Sequence, residues 1–124
     1  MWRKYNPNPV GRTVGDCVIR ALTVALSVDW ETAYDMVAQA GYDMGDMPSS
    51  DSVWGAVLRQ HGFYKTACEN CDIAQEFCRK HPQGIYVLAF GGHVAAVKDG
   101  ILYDSWDSSK EIPIYFWHRR KRGE

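Results

Sequence analysis

Long apolar segments are missing from this 124-residue sequence. No run approaches the ~18 apolar residues that a membrane span requires, and the opening Met-Trp-Arg-Lys-Tyr lacks the apolar stretch of a signal peptide. We therefore expect a cytoplasmic protein with no membrane partner. No composition shift or internal repeat divides the chain, so a single domain over residues 1–124 is expected.

An excess of charge of either sign is also missing. Lys and Arg total 14 against 15 Asp and Glu, and the net charge of -1 gives no general attraction to nucleic acid or acidic membranes. Residues 119–122 form a basic run, but a charged terminus is usually a solvated tail, and no basic face with interleaved aromatic residues accompanies it. We expect a basic tail over 118–124 and no nucleic-acid partner, and no pattern indicates an oligomeric state.

Apolar residues are abundant enough for a core, at 46% of the chain with 13% aromatics. Two prolines in the Asn-Pro-Asn-Pro segment exclude a helix near the start, so residues 1–15 are expected to form an extended arm laid over the body. Apolar residues at helical spacing, bounded by capping residues and by glycine or proline, then predict four helices. They cover residues 17–26, 30–40, 52–61 and 72–80.

After Gly84 the pattern changes to short segments rich in β-branched and aromatic residues, separated by glycine or polar turns. These segments predict strands over 85–90, 93–98, 101–106 and 112–117. The expected fold class is α+β, with N-terminal helices packed on a C-terminal antiparallel β-sheet.

Cys17 is placed at the first turn of the first predicted helix, directly after Gly15 and Asp16. Unpaired helix N–H groups and the positive end of the helix dipole favour a thiolate there, and the thiolate is the reactive form of cysteine. The alternative is a small buried residue, which is the commoner fate of a free cysteine. Position alone does not decide between the two.

The dipeptide Asp99-Gly100 between two alternating apolar segments predicts a two-residue hairpin turn. If Lys98 pairs with Ile101, then His93 and Asp104 become diagonal neighbours on one face, with backbones ~7–8 Å apart. An imidazole and a carboxylate can span that gap with one hydrogen bond. Trp106 is expected beside His93, where it would shield the bond from water.

Three blocks of this sequence resemble those of papain-like cysteine peptidases. They are Gly15-Asp16-Cys17 opening a helix, Gly92-His93-Val94 opening a strand, and Asp104-Ser105-Trp106 on the next strand. The order along the chain is the same, with Asp in place of the family's Asn. The small size is closer to the compact members that process bacteriocin leaders, and to short phage and bacterial proteins of similar layout.

The resemblance implies a papain-like fold, a thioester intermediate and cleavage of an amide-type bond without a cofactor. Cys17 takes the role of nucleophile, His93 that of base and Asp104 that of the residue that orients the base. The substrate would be a peptide or protein laid in a groove, with Asp16, Gly92 and Trp106 beside it. One departure concerns the oxyanion: papain-like enzymes generally carry a Gln five or six residues before the Cys, where this chain has Arg12 and Gly11.

The second oxyanion donor is therefore open among Asn8, Asn6 and Arg12, with the backbone N–H of Cys17 as the first. Because this donor is not identified, two functions remain: a cysteine peptidase, isopeptidase or amidase, and a catalytically inactive papain-like module that binds peptides. The loops at 41–50 and 90–92 are expected to set the specificity of the groove.

A zinc site is the main competing interpretation of the remaining cysteines. Cys68, Cys71, Cys78 and His81 have the spacing C-x2-C-x6-C-x2-H. A helix from 72 to 80 would separate Cys71 and Cys78 by roughly 10 Å along its axis, whereas the ligands of one zinc ion lie within ~4 Å of each other. We favour the helix and expect no metal, with Cys78 in the core and Cys68 and Cys71 as partly exposed free thiols in a reducing compartment.

Overall fold

The computed structural model describes residues 1–119 and contains four helices and six strands within that range. The helices are α1 (Cys17–Leu26), α2 (Trp30–Met44), α3 (Asp51–Gln60) and α4 (Ala74–Lys80). The strands are β1 (Trp2–Lys4), β2 (Phe63–Ala67), β3 (Ile85–Phe90), β4 (His93–Lys98), β5 (Ile101–Asp104) and β6 (Tyr115–Arg119). The architecture is therefore mixed α+β.

All six strands belong to one sheet, in the order β1-β5-β4-β3-β6-β2. Neighbouring strands are antiparallel except for β1, which runs parallel to β5 and pairs Lys4 with Asp104. The hairpin between β4 and β5 has the predicted register, since Lys98 pairs with Ile101 and Ala96 with Tyr103. Asp99 and Gly100 both have positive φ, as a two-residue hairpin turn requires.

Helices cover both faces of the sheet. The larger core cluster contains the apolar side of α1 together with Val94 and Ala96 of β4, and it also takes in residues of α2 and α3. The smaller cluster contains α4 together with Ala95 and Val97. Because alternate residues of a strand point to opposite faces, β4 is buried on both sides, and His93 at its first position lies at the rim of this core.

The second helix extends beyond its predicted end. Gly41 does not end α2, which continues to Met44, and the left-handed residue that closes the helix is Gly45. At Gly41 an added Cβ would lie 2.7 Å from the backbone oxygen of Asp46. The glycine is thus required by the close approach of the following loop, whereas the sequence analysis took it as a stop signal.

The sheet also differs from the prediction. The arm at 1–15 contributes β1 to the sheet edge, so the sheet is mixed and not purely antiparallel as expected. The prediction did not include β2, and it placed the last strand at 112–117, three residues before β6 begins. Residues 118 and 119 of the predicted basic tail belong to β6, and the rest of that tail, 120–124, lies outside the described residues.

Cys68 and Cys71 form a disulfide, with Cα atoms 5.3 Å apart, so the expectation that both are free thiols is wrong. Cys78 is a free, buried thiol within α4, as predicted, and burial raises its pKa. Within residues 1–119, no three His, Cys, Asp or Glu side chains converge on a common metal position. No helix in that range combines the length and the apolar character that crossing a bilayer demands.

Candidate active site

Cys17 lies at the N-terminus of α1, which packs against β4. Its thiol faces the side chain of His93 and the backbone of Val94, and both groups favour the thiolate. Partial burial opposes ionisation of the thiol, but these two groups and the positive charges of His93 and Arg20 outweigh it and lower the pKa of Cys17. The helix start and the strand start thus bring the sulfur and the imidazole together.

One ring nitrogen of His93 bonds to Asp104 on the neighbouring strand of the hairpin. Nε2 lies 2.6 Å from Oδ2 of Asp104, which leaves Nδ1 as the nitrogen available to the sulfur. Burial would favour the neutral imidazole, but the hydrogen bonds and charges of Asp104 and Cys17 overcome it and raise the pKa of His93 to about 9. The lowered pKa of Cys17 and the raised pKa of His93 both favour the thiolate-imidazolium form of the pair.

Asp104 ends β5 and is fully buried, with 0% of its surface exposed. Desolvation would raise its pKa, but bonds from His93 and from the Ser108 hydroxyl, the charge of His93 and the backbone N–H of Ser105 lower it. The Ser108 hydroxyl donates to Oδ2 at 2.6 Å, and the N–H of Ser105 donates to Oδ1 at 2.8 Å. Each partner favours the carboxylate form, so Asp104 is an anion that accepts from the imidazole.

Sequence reasoning missed two further groups around Asp104. Ser108 is fully buried beyond the end of the strand, where no sequence pattern marks it. Arg20 lies 3.3 Å from Oδ1 of Asp104 and 2.7 Å from Oδ1 of Asp16. Its signal was available, because a residue four positions after an Asp on a helix lies on the same face and can pair with it.

Some of the remaining candidate residues line the cavity beside Cys17, and others do not. Asp16 and Gly92 line the same cavity as Cys17 and His93, whereas Asn8 and Arg12 do not line it. The side-chain oxygen of Asn8 accepts from the backbone N–H groups of Val10 and Arg12, so the Asn8 side chain stabilises the turn at residues 8–12. The assignment of Asn8 or Arg12 as a second oxyanion donor therefore stays a prediction, without support from the cavity lining.

Two other predicted contacts concern Trp106 and Asp16. The ring of Trp106 lies 4.9 Å from that of His93, although the residue follows the end of β5 and keeps 44% of its surface exposed. Asp16 takes the N-cap position of α1, but its side chain makes no cap hydrogen bond. It binds Arg20 and accepts from the indole N–H of Trp30 at 2.9 Å.

The cavity beside the sulfur has a volume of about 580 Å³. Its walls come from the start of α1, from α2 and α3, from the loop before α3, from the end of β3 and from the starts of β4 and β6. Apolar side chains make up much of the lining: Val18, Ile19, Val37, Pro48, Trp54, Ala89, Phe90, Val94, Ile114 and Tyr115. Near the sulfur, a Cβ added at Gly15, Gly91 or Gly92 would have no non-adjacent heavy atom of residues 1–119 within 4 Å. The approach to the sulfur is therefore open.

Comparisons of this chain with models of protein families, with curated proteins and with solved structures find no significant match. We therefore infer the function of this chain from the geometry of the site.

Proposed function

We propose that this chain is a papain-like cysteine hydrolase that cleaves an amide-type bond through a thioester on Cys17. The observation that carries the proposal is the placement of His93, whose Nε2 lies 2.6 Å from Oδ2 of the buried Asp104 carboxylate and whose side chain also faces the Cys17 thiol. An oriented imidazole between a carboxylate and a nucleophile is the general arrangement of an activated thiol enzyme. The papain-like blocks in the sequence agree with this assignment.

In the first half of the reaction, the Cys17 thiolate attacks the carbonyl carbon of the substrate and forms a C–S bond. The carbonyl oxygen gains negative charge, and the N–H groups of the first turn of α1, which have no partner within the helix, can donate to it. The C–N bond then breaks, and the amine leaves with the proton that His93 donates from Nδ1. The product of this half is a thioester on Cys17.

In the second half, His93 is neutral and takes a proton from water as the water attacks the thioester carbon. The C–S bond breaks, the carboxylic acid is released, and the thiolate regains its imidazolium partner. The Nε2 proton stays on His93 throughout, in the hydrogen bond that Asp104 accepts. This bond fixes which ring nitrogen faces the sulfur.

A second function, a catalytically inactive papain-like module that binds peptides, is favoured by one observation. Among residues 1–119, no Asn or Gln side chain lines the cavity, so the side-chain amide that usually assists the oxyanion in papain-like enzymes has no counterpart there. Loss of one such donor usually costs ~10²–10³ in rate. The cavity and its open approach would still accept an extended peptide.

Site mapping of alkylation by mass spectrometry separates the two functions. We expect iodoacetamide to modify Cys17 selectively near neutral pH, and we expect the rate to fall on His93→Ala. His61→Ala is the matched control: the His61 ring bonds to the backbone oxygen of Val57 within its own turn, so its loss should leave the rate unchanged. An inert Cys17 would exclude the enzyme, and labelling in its place at Cys78, the other free thiol among residues 1–119, would count against the assigned nucleophile.

A further inference from the structure

A charged residue lies on the buried side of the helix that carries Cys17. Arg20 is three residues after Cys17 and four after Asp16, and only 4% of its surface is exposed. Guanidinium groups are rarely buried to this extent unless they are paired, because the charge loses its hydration. The position of Arg20 within α1, one turn from the sulfur, therefore requires an explanation.

The two ion pairs of Arg20 join separate parts of the fold. Nη1 lies 2.7 Å from Oδ1 of Asp16 at the start of its own helix, and Nη2 lies 3.3 Å from Oδ1 of Asp104 at the end of β5. The second pair connects the helix of the nucleophile to the hairpin that carries the base. A planar guanidinium has N–H groups directed at both carboxylates at once, which a lysine ammonium on its flexible stem cannot reproduce.

The outer oxygen of each carboxylate is also occupied. Oδ2 of Asp16 accepts from the indole N–H of Trp30 on α2, and Oδ2 of Asp104 accepts from Ser108 and faces His93. Rotation of either carboxylate would therefore break bonds at both of its oxygens. The result is a continuous polar series from α2 through α1 to the sheet, with Arg20 at its centre.

The positive charge of Arg20 also acts on Asp104 and Cys17, in addition to the hydrogen bonds of its guanidinium. An Asp in the orienting position brings a full negative charge beside His93, where an Asn would bring none, and Arg20 offsets that charge. The same guanidinium is one of the groups that lower the pKa of Cys17. Removal of its charge would favour the neutral thiol.

We propose that Arg20 is a positioning residue of this site, which clamps the Asp104 carboxylate against the Cys17 helix and supports the thiolate with its charge. The inference depends on the proposed function, since it assigns a role within the same site. It predicts that Arg20 changes the ionisation of Cys17 as well as the stability of the fold.

The test measures the rate of Cys17 alkylation by iodoacetamide against pH for the unmodified chain, Arg20→Met and Arg20→Lys. We expect the midpoint of the Arg20→Met profile to move to higher pH by roughly one unit, equivalent to a tenfold loss of thiolate at acidic pH. Arg20→Lys should move it by less, because lysine restores the charge but not both bonds. Arg79→Met, which removes an exposed guanidinium on α4 that pairs with Glu76, is the control that should leave the midpoint in place.

The possible results separate a failure of this inference from a failure of the proposed function. A folded Arg20→Met chain with an unmoved midpoint would overturn the inference and leave the proposed function intact. If Arg20→Met does not fold, Arg20→Lys decides, since a midpoint and plateau rate equal to those of the unmodified chain would show that the two-carboxylate bridge has no effect on the site. An unmodified chain whose Cys17 is inert at all pH values would overturn the proposed function, and with it this inference.

Discussion

The hydroxyl of Ser108 donates to the same carboxylate oxygen of Asp104, Oδ2, that faces the imidazole of His93. Both distances are 2.6 Å, and Ser108 has no exposed surface. Since the hydroxyl is an extra donor to the carboxylate, it holds Asp104 in its anionic form and in the orientation that His93 needs.

Ser108→Ala should lower the free energy of unfolding by about 1–3 kcal/mol, because the buried carboxylate loses a hydrogen bond to a charged group. Urea denaturation measures this loss. We also expect a reduction of roughly tenfold in peptide hydrolysis, because the carboxylate can then rotate. The matched control is Ser109→Ala, which alters a neighbouring buried serine whose bonds are to Asp107. Equal effects of the two substitutions would contradict the role of Ser108.

The pH dependence of hydrolysis should be bell-shaped. As pH rises through about 9, His93 loses its proton, and the neutral imidazole cannot donate to the leaving amine, so turnover falls. As pH decreases through the lowered pKa of Cys17, the thiolate takes up a proton and turnover falls again. Initial rates with a fluorogenic peptide amide measure both limbs. A rate that continues to rise above pH 9, as for an unassisted thiol, would contradict the imidazolium pair.

Asp104→Asn replaces the carboxylate by the amide that the papain-like pattern carries at this position. The amide keeps a hydrogen bond to His93 but removes the charge that helps to raise the pKa of the imidazole. We expect the alkaline limb of the hydrolysis profile to move down by about one pH unit or more. Asp107→Asn provides the control, since Asp107 is exposed and bonds Ser109. An alkaline limb that stays in place would show that Asp104 does not set the His93 pKa.

The cavity beside Cys17 should discriminate against acidic side chains. Its walls are mostly apolar, and Asp51 lines it without an ion-pair partner among residues 1–119. Peptide amides with Leu next to the cleaved bond should be hydrolysed with a higher kcat/KM than those with Glu, by roughly tenfold. Asp51→Asn should reduce this ratio, whereas Asp46→Asn, outside the cavity lining, should not. A preference for Glu would contradict the use of this cavity as the subsite.

The Cys68–Cys71 disulfide is expected to contribute to stability and not to chemistry. It closes a loop of only four residues, so the chain-entropy estimate for its loss is about 2 kcal/mol. Cys68→Ser with Cys71→Ser should therefore lower the free energy of unfolding by about that amount and leave Cys17 alkylation unchanged. Urea denaturation and site-mapped alkylation measure the two effects. Loss of Cys17 labelling in the double variant would contradict the separation of the two regions.

The hairpin was predictable in detail because its turn chemistry is local. Asp99-Gly100 fixes a two-residue turn, the turn fixes the pairing of Lys98 with Ile101, and the pairing brings His93 and Asp104 together. None of these steps requires knowledge of distant residues. The predicted meeting of the His93 and Asp104 side chains is therefore present in the structure.

The features that the prediction missed depend on tertiary contacts. Strand β1 has three residues and exists through its pairing with β5, a partner about 100 residues away in the sequence. Gly41 resembles a helix stop until the loop that packs against it is known. Arg20 interrupts the apolar pattern of α1 only because both of its carboxylate partners are buried with it, and the distant one, Asp104, is not visible from local spacing.

The parallel contact between β1 and β5 has a practical consequence for handling the protein. The backbone oxygen of Asp104 accepts from the N–H of Tyr5 and from the indole of Trp2, so removal of the first five residues would delete two hydrogen bonds to the strand that ends at Asp104. Met1, by contrast, lies at the far end of that strand, next to the hairpin turn at Gly100. An affinity tag fused ahead of Met1 would therefore begin beside the hairpin turn, at a residue that does not line the cavity of Cys17.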